Sequence, residues 1–220
     1  MVLGNGLQIV WLDAFIGQDG HCHTLKRNFQ TTLRPAAAVP PANINVLICS
    51  LTENAVPILF AQTPAQAATL IEQHHDKRII FISSGSLGQH MIPFITALYP
   101  YVHRFYIFCF DITRYVHFGL DYVSCLQIFD HETDLLVRLT RDISSDIIKQ
   151  GEAYLAIEDA ENALKCFENA LALNNDVNRI DTLNPPCLMY LKQLNGDGEN
   201  IGWIQRARDM LHQRSNIRNR

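Results

Sequence analysis

No apolar run in the 220 residues approaches the roughly 20 that a membrane-spanning helix needs. The opening Met1-Val2-Leu3-Gly4-Asn5-Gly6 has no basic region feeding an apolar stretch, so neither secretion nor insertion is expected. Surplus positive charge is also missing. Eighteen Lys and Arg face 22 Asp and Glu, a net charge of −4, which disfavours nucleic acid and anionic membranes as partners. None of the six cysteines (Cys22, Cys49, Cys109, Cys125, Cys166, Cys187) stands in a C-x-x-C pair. They read as reduced, partly buried thiols of a cytoplasmic protein. His21-Cys22-His23 and His74-His75 are adjacent residues that point in different directions, with no matching set at a regular offset. No metal site and no cofactor are therefore expected. What the chain does have is apolar material: 48% hydrophobic against 18% charged residues is enough for a buried core and too little charge for disorder.

Up to residue 130, short β-rich apolar runs alternate with helical patterns, the signature of βα units around a parallel sheet. The runs are 7–12, 56–61, 79–82, 105–110 and 125–129. Leu25, Phe29 and Leu33 lie four apart on a helix from about 23 to 33, followed by a stiff linker holding Pro35, Pro40 and Pro41. Residues 43–55 read as helix, with a strand as the alternative. Thr63-Pro64-Ala65-Gln66 is a capping box with proline at the first helical position. Ser83-Ser84-Gly85-Ser86-Leu87-Gly88 reads as a loop leading to a helix over 89–99. These elements predict an α/β fold with a five-stranded parallel open sheet of the flavodoxin-like kind, with right-handed crossovers.

After Asp130 the β signal ends, and Leu135, Leu136, Leu139, Ile143, Ile147 and Ile148 mark a long amphipathic helix over 133–149. The domain boundary is placed in it: residues 1–141 as the α/β domain, 142–220 as helical hairpins. Residues 144–177 resemble one tetratricopeptide repeat, whose period is about 34 residues. Gly151 and Tyr154 fall on its first helix, Ala163, Phe167 and Ala170 on its second, and Asn175 stands where the pattern's proline follows. Small residues at 151, 163 and 170 let two helices approach while the aromatics fill the gaps between them. Residues 187–194 and 201–211 suggest two further helices joined by Asn195-Gly196-Asp197-Gly198. Arg206, Arg208, Arg214, Arg218 and Arg220 read as a solvated cationic end.

Ligands of open parallel sheets bind beyond the C-terminal strand ends near the switch in strand order. With β1 central, Asp13, Ser84, Gly85, Ser86, Gly88 and Asp111 share that edge. The Ser84–Gly88 stretch offers hydroxyls, backbone N–H groups and a helix N-terminus, as a phosphate cradle would. The alternative is a tight turn that wants glycine and serine caps. Catalytic templates are incomplete. There is no G-x-S-x-G elbow, no phosphate-loop lysine, and no dinucleotide fingerprint, Gly17 and Gly20 standing apart. A phospho-receiver would need an acidic pair where Asp13 stands alone. No catalytic residue is assigned.

Val10-Trp11-Leu12-Asp13, Phe81 to Gln89, Tyr106-Ile107-Phe108-Cys109, Asp134 to Asp142 and the repeat together resemble a multi-domain family of rotifers. In it a TIR-like or receiver-like α/β domain precedes tetratricopeptide repeats or an ADP-ribosyltransferase domain. NAD-cleaving TIR domains depend on a glutamate near the helix after the third strand, and residues 89–99 hold no acid. The repeat and the incomplete catalytic templates favour a cytoplasmic, non-catalytic scaffold, an α/β sensing or docking domain whose repeat helices bind a protein or peptide. The alternative is a nucleotide- or NAD-binding domain, NAD-cleaving in the TIR manner, using the loop after the third strand.

Overall fold

The computed structural model describes residues 6–16, 18, 22–32, 58–180 and 188–218; the expected linker, the 43–55 helix, Gly17, Gly20 and Cys187 lie outside them. The described residues through Leu136, save Thr32, belong to one compact unit and those from Val137 on to a second.

In the first unit, β1 (Leu7–Leu12), β2 (Ile58–Ala61), β3 (Arg78–Ser84), β4 (Val102–Phe108) and β5 (Leu126–Phe129) form a five-stranded sheet in the order β2-β1-β3-β4-β5. Every pairing is parallel. This is the flavodoxin-like strand order, and the middles of β1, β3 and β4 read as apolar runs because both faces of the sheet are buried there. Val10, Leu12, Ile79, Phe81, Phe105 and Ile107 bury one face in a cluster shared with Ala67 and Ile71 of α2 (Pro64–Gln73) and Met91, Ile92 and Ile95 of α3 (Gly85–Leu98). On the other face Trp11 lies against Phe60 (6.2 Å between rings). Lys26 of α1 (His23–Thr32) sits over the Phe60 ring at 5.1 Å.

The capping residues at α2 act much as expected. Thr63 Oγ1 accepts from the Gln66 N–H (3.2 Å), but the Gln66 side chain accepts from the N–H of Gln62 (2.8 Å), one residue before the cap. Two expectations need correction. β4 spans Val102–Phe108, not 105–110: parallel pairing of Ile79 with Val102 draws the polar His103 and Arg104 into the ladder and leaves Phe110 outside. The helix expected over 89–99 begins at Gly85, directly after the last residue of β3.

A 3₁₀ turn (Ile112–Tyr115) and the short α4 (Val116–Asp121) connect β4 to β5. α5 (Glu132–Ala156) runs from the first unit into the second without a break, through both the expected boundary at 141/142 and the division at Leu136. The second unit continues with α6 (Ala160–Ile180), α7 (Leu188–Asn195) and α8 (Trp203–Arg218). Glu158 takes φ 60° to end α5, and Asp159 caps α6 by accepting from the Asn162 N–H (3.2 Å). The turn from α7 to α8 uses positive φ at Gly196 and Gly198 (both 89°).

Candidate functional site

The register fixes what meets at the C-terminal edge of the sheet. Leu12 pairs with Ser83, so Asp13 stands beside Ser84 at the β1/β3 crevice, where strand order reverses. Ser84 pairs with Phe108, and Phe108 with Phe129, so Asp111 and Asp130 follow at the neighbouring β4/β5 end. The sheet thus places Asp13 next to Ser84, and Asp111 further along the same edge.

The carboxylates of Asp13 and Asp111 are engaged locally. Asp13 Oδ1 accepts from the N–H groups of Phe15 (2.8 Å) and Ile16 (3.0 Å), closing the turn after β1. Asp111 Oδ1 accepts from the Thr113 hydroxyl (2.5 Å) and N–H (3.0 Å), and its Oδ2 pairs with Arg114 (3.2 Å). The Thr113 hydroxyl above all, with the Thr113 N–H and the Arg114 guanidinium, holds the Asp111 carboxyl below the usual carboxylate range.

The serine–glycine stretch is the end of β3 and the first turn of α3, with no loop between them. Ser84 occupies the N-cap with extended backbone (ψ 158°), yet its side chain makes no capping bond. The ring of Tyr115 fills the place a Cβ on Gly85 would take. A Cβ on Gly88 would meet the Ser83 hydroxyl and, at 3.0 Å, Cγ1 of Ile107. These glycines let a tyrosine and two strands come close, which is a packing role. Ser86 is exposed, its carbonyl accepting from His90 Nδ1 (2.7 Å).

A cavity of about 510 Å³ opens at the β4/β5 end, lined by Cys109, Phe110, Asp111, Arg114, Tyr115 and Asp130 among others. Burial above all pushes the Cys109 thiol up; the Asp111 backbone bond opposes this, while the charges of Asp130 and Asp111 add to it. A thiol so shifted is a poor nucleophile. A second cavity of the same volume, between the β2 edge and α2, is lined by Phe60, Gln62, Gln66, Thr69, Leu70, Gln73 and Ala65, with no ionisable side chain. Among the described residues no group of three or more His, Cys, Asp and Glu is placed to hold a metal ion. No described helix is long and apolar enough to cross a membrane.

In the second unit, a Cβ on Gly151 would come within 2.6 Å of the Phe167 ring, and Ala163, Phe167 and Ala170 are buried. Tyr154 is half-buried and its carbonyl accepts from the Asp159 N–H (2.8 Å). α6 continues through Asn175 to Ile180 with no turn there. Three features escaped the sequence reading. Buried Asn174 donates to the Ser144 hydroxyl (2.6 Å) and the Ala170 carbonyl (2.9 Å), tying α5 to α6. Trp203 stacks on Phe167 at 5.9 Å. And the arginines of α8 are not simply a solvated end: Arg208 pairs with Glu168 (2.9 Å), Arg214 with Glu158 (3.0 Å), and Arg206 lies over Trp203. An asparagine within the apolar stripe of α6 was the one visible hint of the first.

The first unit is therefore an open, doubly wound α/β domain with Asp13, Ser84, Asp111 and Asp130 at its C-terminal edge. No protein-family model, curated protein or solved structure matches the chain.

Proposed function

We propose that this chain is a non-catalytic cytoplasmic interaction protein, of the kind that joins a TIR-like α/β docking domain to a tetratricopeptide-like helical module binding protein or peptide. The observation that carries the reading is the close approach of Gly151 to Phe167. It is the small-against-aromatic contact by which such repeat helices pack, and it joins residues far apart in sequence that the repeat pattern pairs. The α/β edge supports the non-catalytic half. Asp13 is used in closing a turn, and Asp111, held below the usual range, is a weak base toward the Thr113 hydroxyl.

The second reading, a nucleotide or NAD ligand, is favoured by the register that sets Asp13 beside Ser84 and by the first turn of α3, which no Ser84 hydroxyl caps. A thermal-shift panel of NAD, ATP, ADP-ribose, GTP and cyclic nucleotides, followed by chromatography for turnover, separates the two. The interaction reading expects no shift and no product. A ligand at a hundred times its dissociation constant adds about 2.7 kcal/mol; such a shift, lost in Ser84→Ala, would replace it with the ligand-binding reading.

A further inference from the structure

We propose that the cavity at the ends of β4 and β5 is a docking site for a basic segment of a partner polypeptide, a cationic side chain entering beside Asp130 and an apolar one covering Phe110. The proposal rests on the interaction reading and names the chemistry of one partner.

Phe110 is 100% exposed although it directly follows the Cys109 that lines the same cavity. Burial excludes most large aromatics from such a position, and an exposed aromatic at a cavity rim is the kind of anchor that carries interface energy. The charge beside it is not balanced from within. Arg114, the cation lining the cavity, is committed to Asp111, whereas Asp130 has no hydrogen-bond or ion-pair partner among the described residues. Glu132 and Asp134, both exposed, extend the negative surface; they suit the N-terminus of α5, but Asp130 precedes the helix. Among the described residues Glu132 meets the neutral Asn28 amide, at 3.5 Å. Such a surface repels phosphate and attracts Lys or Arg. A lone small cation would leave Phe110 uncovered, so the occupant combines charge with an apolar side chain.

The test uses the full chain and two fluorescein-labelled peptides, one alternating arginine with leucine and one alternating glutamate with leucine, read by anisotropy. The arginine peptide is expected to bind and the glutamate peptide not. Phe110→Ala should weaken binding roughly ten-fold and Asp130→Asn about three-fold, the latter difference closing at about 1 M salt. Asp76→Asn, at the opposite edge of the sheet, should leave it unchanged. Melting points of the three variants should match the parent's. Equal binding by the parent, Phe110→Ala and Asp130→Asn overturns the proposal, as does equal weakening by Asp76→Asn or no binding at all. Self-association of the parent in sedimentation, abolished by Phe110→Ala, would also overturn it by making a second copy the occupant. Nucleotide turnover would instead remove the interaction reading itself, which none of the peptide outcomes does.

Discussion

At the scale of single residues, Ser83 closes the apolar run of β3 with a hydroxyl sealed against Gly88 and left without a hydrogen-bond partner among the described residues. A buried polar atom with no partner costs about 1–3 kcal/mol, so Ser83→Ala is expected to raise stability by about 1 kcal/mol in urea unfolding. A loss instead would mean that the hydroxyl has a partner. Tyr99 is the opposite case. Its hydroxyl donates to Glu72 Oε1 at 2.6 Å, and that bond first, then burial and the Glu72 and Tyr101 charges, push the phenol up to about 12. The ordinary value is about 10. The folded chain therefore keeps the proton over a range in which the unfolded chain has lost it. The stabilisation is complete below about pH 10 and is lost as pH rises toward about 12. Tyr99→Phe should flatten that alkaline decline, checked by urea midpoints on either side of pH 10.

At the scale of elements, Gly151 decides how closely α5 and α6 meet. Alanine there gains up to about 1 kcal/mol of helix propensity. It also drives a Cβ to within 2.6 Å of a buried, stacked Phe167 ring, and overpacking of this kind costs about 1–3 kcal/mol. Overpacking wins, and Gly151→Ala should destabilise by about 1 kcal/mol. Phe167→Leu in the same chain should recover part of the loss as a coupling term in a double-mutant cycle; strict additivity would mean that the ring does not feel the new methyl. The contact was legible because spacing within two helices encodes it, as the apolar run of β1 and the capping residues at Thr63 encode theirs. What was not legible depends on residues brought in from afar. Nothing within the 83–88 window tells that Tyr115 and Ile107 will occupy the faces of Gly85 and Gly88, so the packing contacts of that stretch cannot be read from it. The shift of β4 has the same origin, since pairing with β3 outweighs the polarity of His103 and Arg104. Asn174 reads as a break in an apolar stripe until Ser144, on the other helix, supplies its acceptor.

At the scale of the whole molecule, the two tryptophans fall one to each unit. Trp11 lies 2% exposed on β1, inside the sheet; Trp203 stacks on Phe167 and carries the Arg206 guanidinium over its ring at 4.8 Å. Single-tryptophan variants, Trp203→Phe and Trp11→Phe, therefore report the α/β unit and the helical unit separately. The sheet of the first unit is anchored by Ile9, Val10, Leu12, Ile79, Ile80, Phe81 and Ile82, all at 0% exposure, and these make its core long-range and continuous. The helical unit rests on fewer buried side chains and on exposed ion pairs such as Arg208–Glu168 and Arg214–Glu158, and exposed pairs contribute at most about 1 kcal/mol each. Its tryptophan signal should therefore be lost at lower urea than that of Trp11, the departure from two-state behaviour expected of a chain with two cores. Gly151→Ala should move the Trp203 transition alone and Ser83→Ala the Trp11 transition alone. If every variant instead moves both signals together, α5, continuous through residues 132–156, transmits unfolding from one unit to the other and the chain melts as one body.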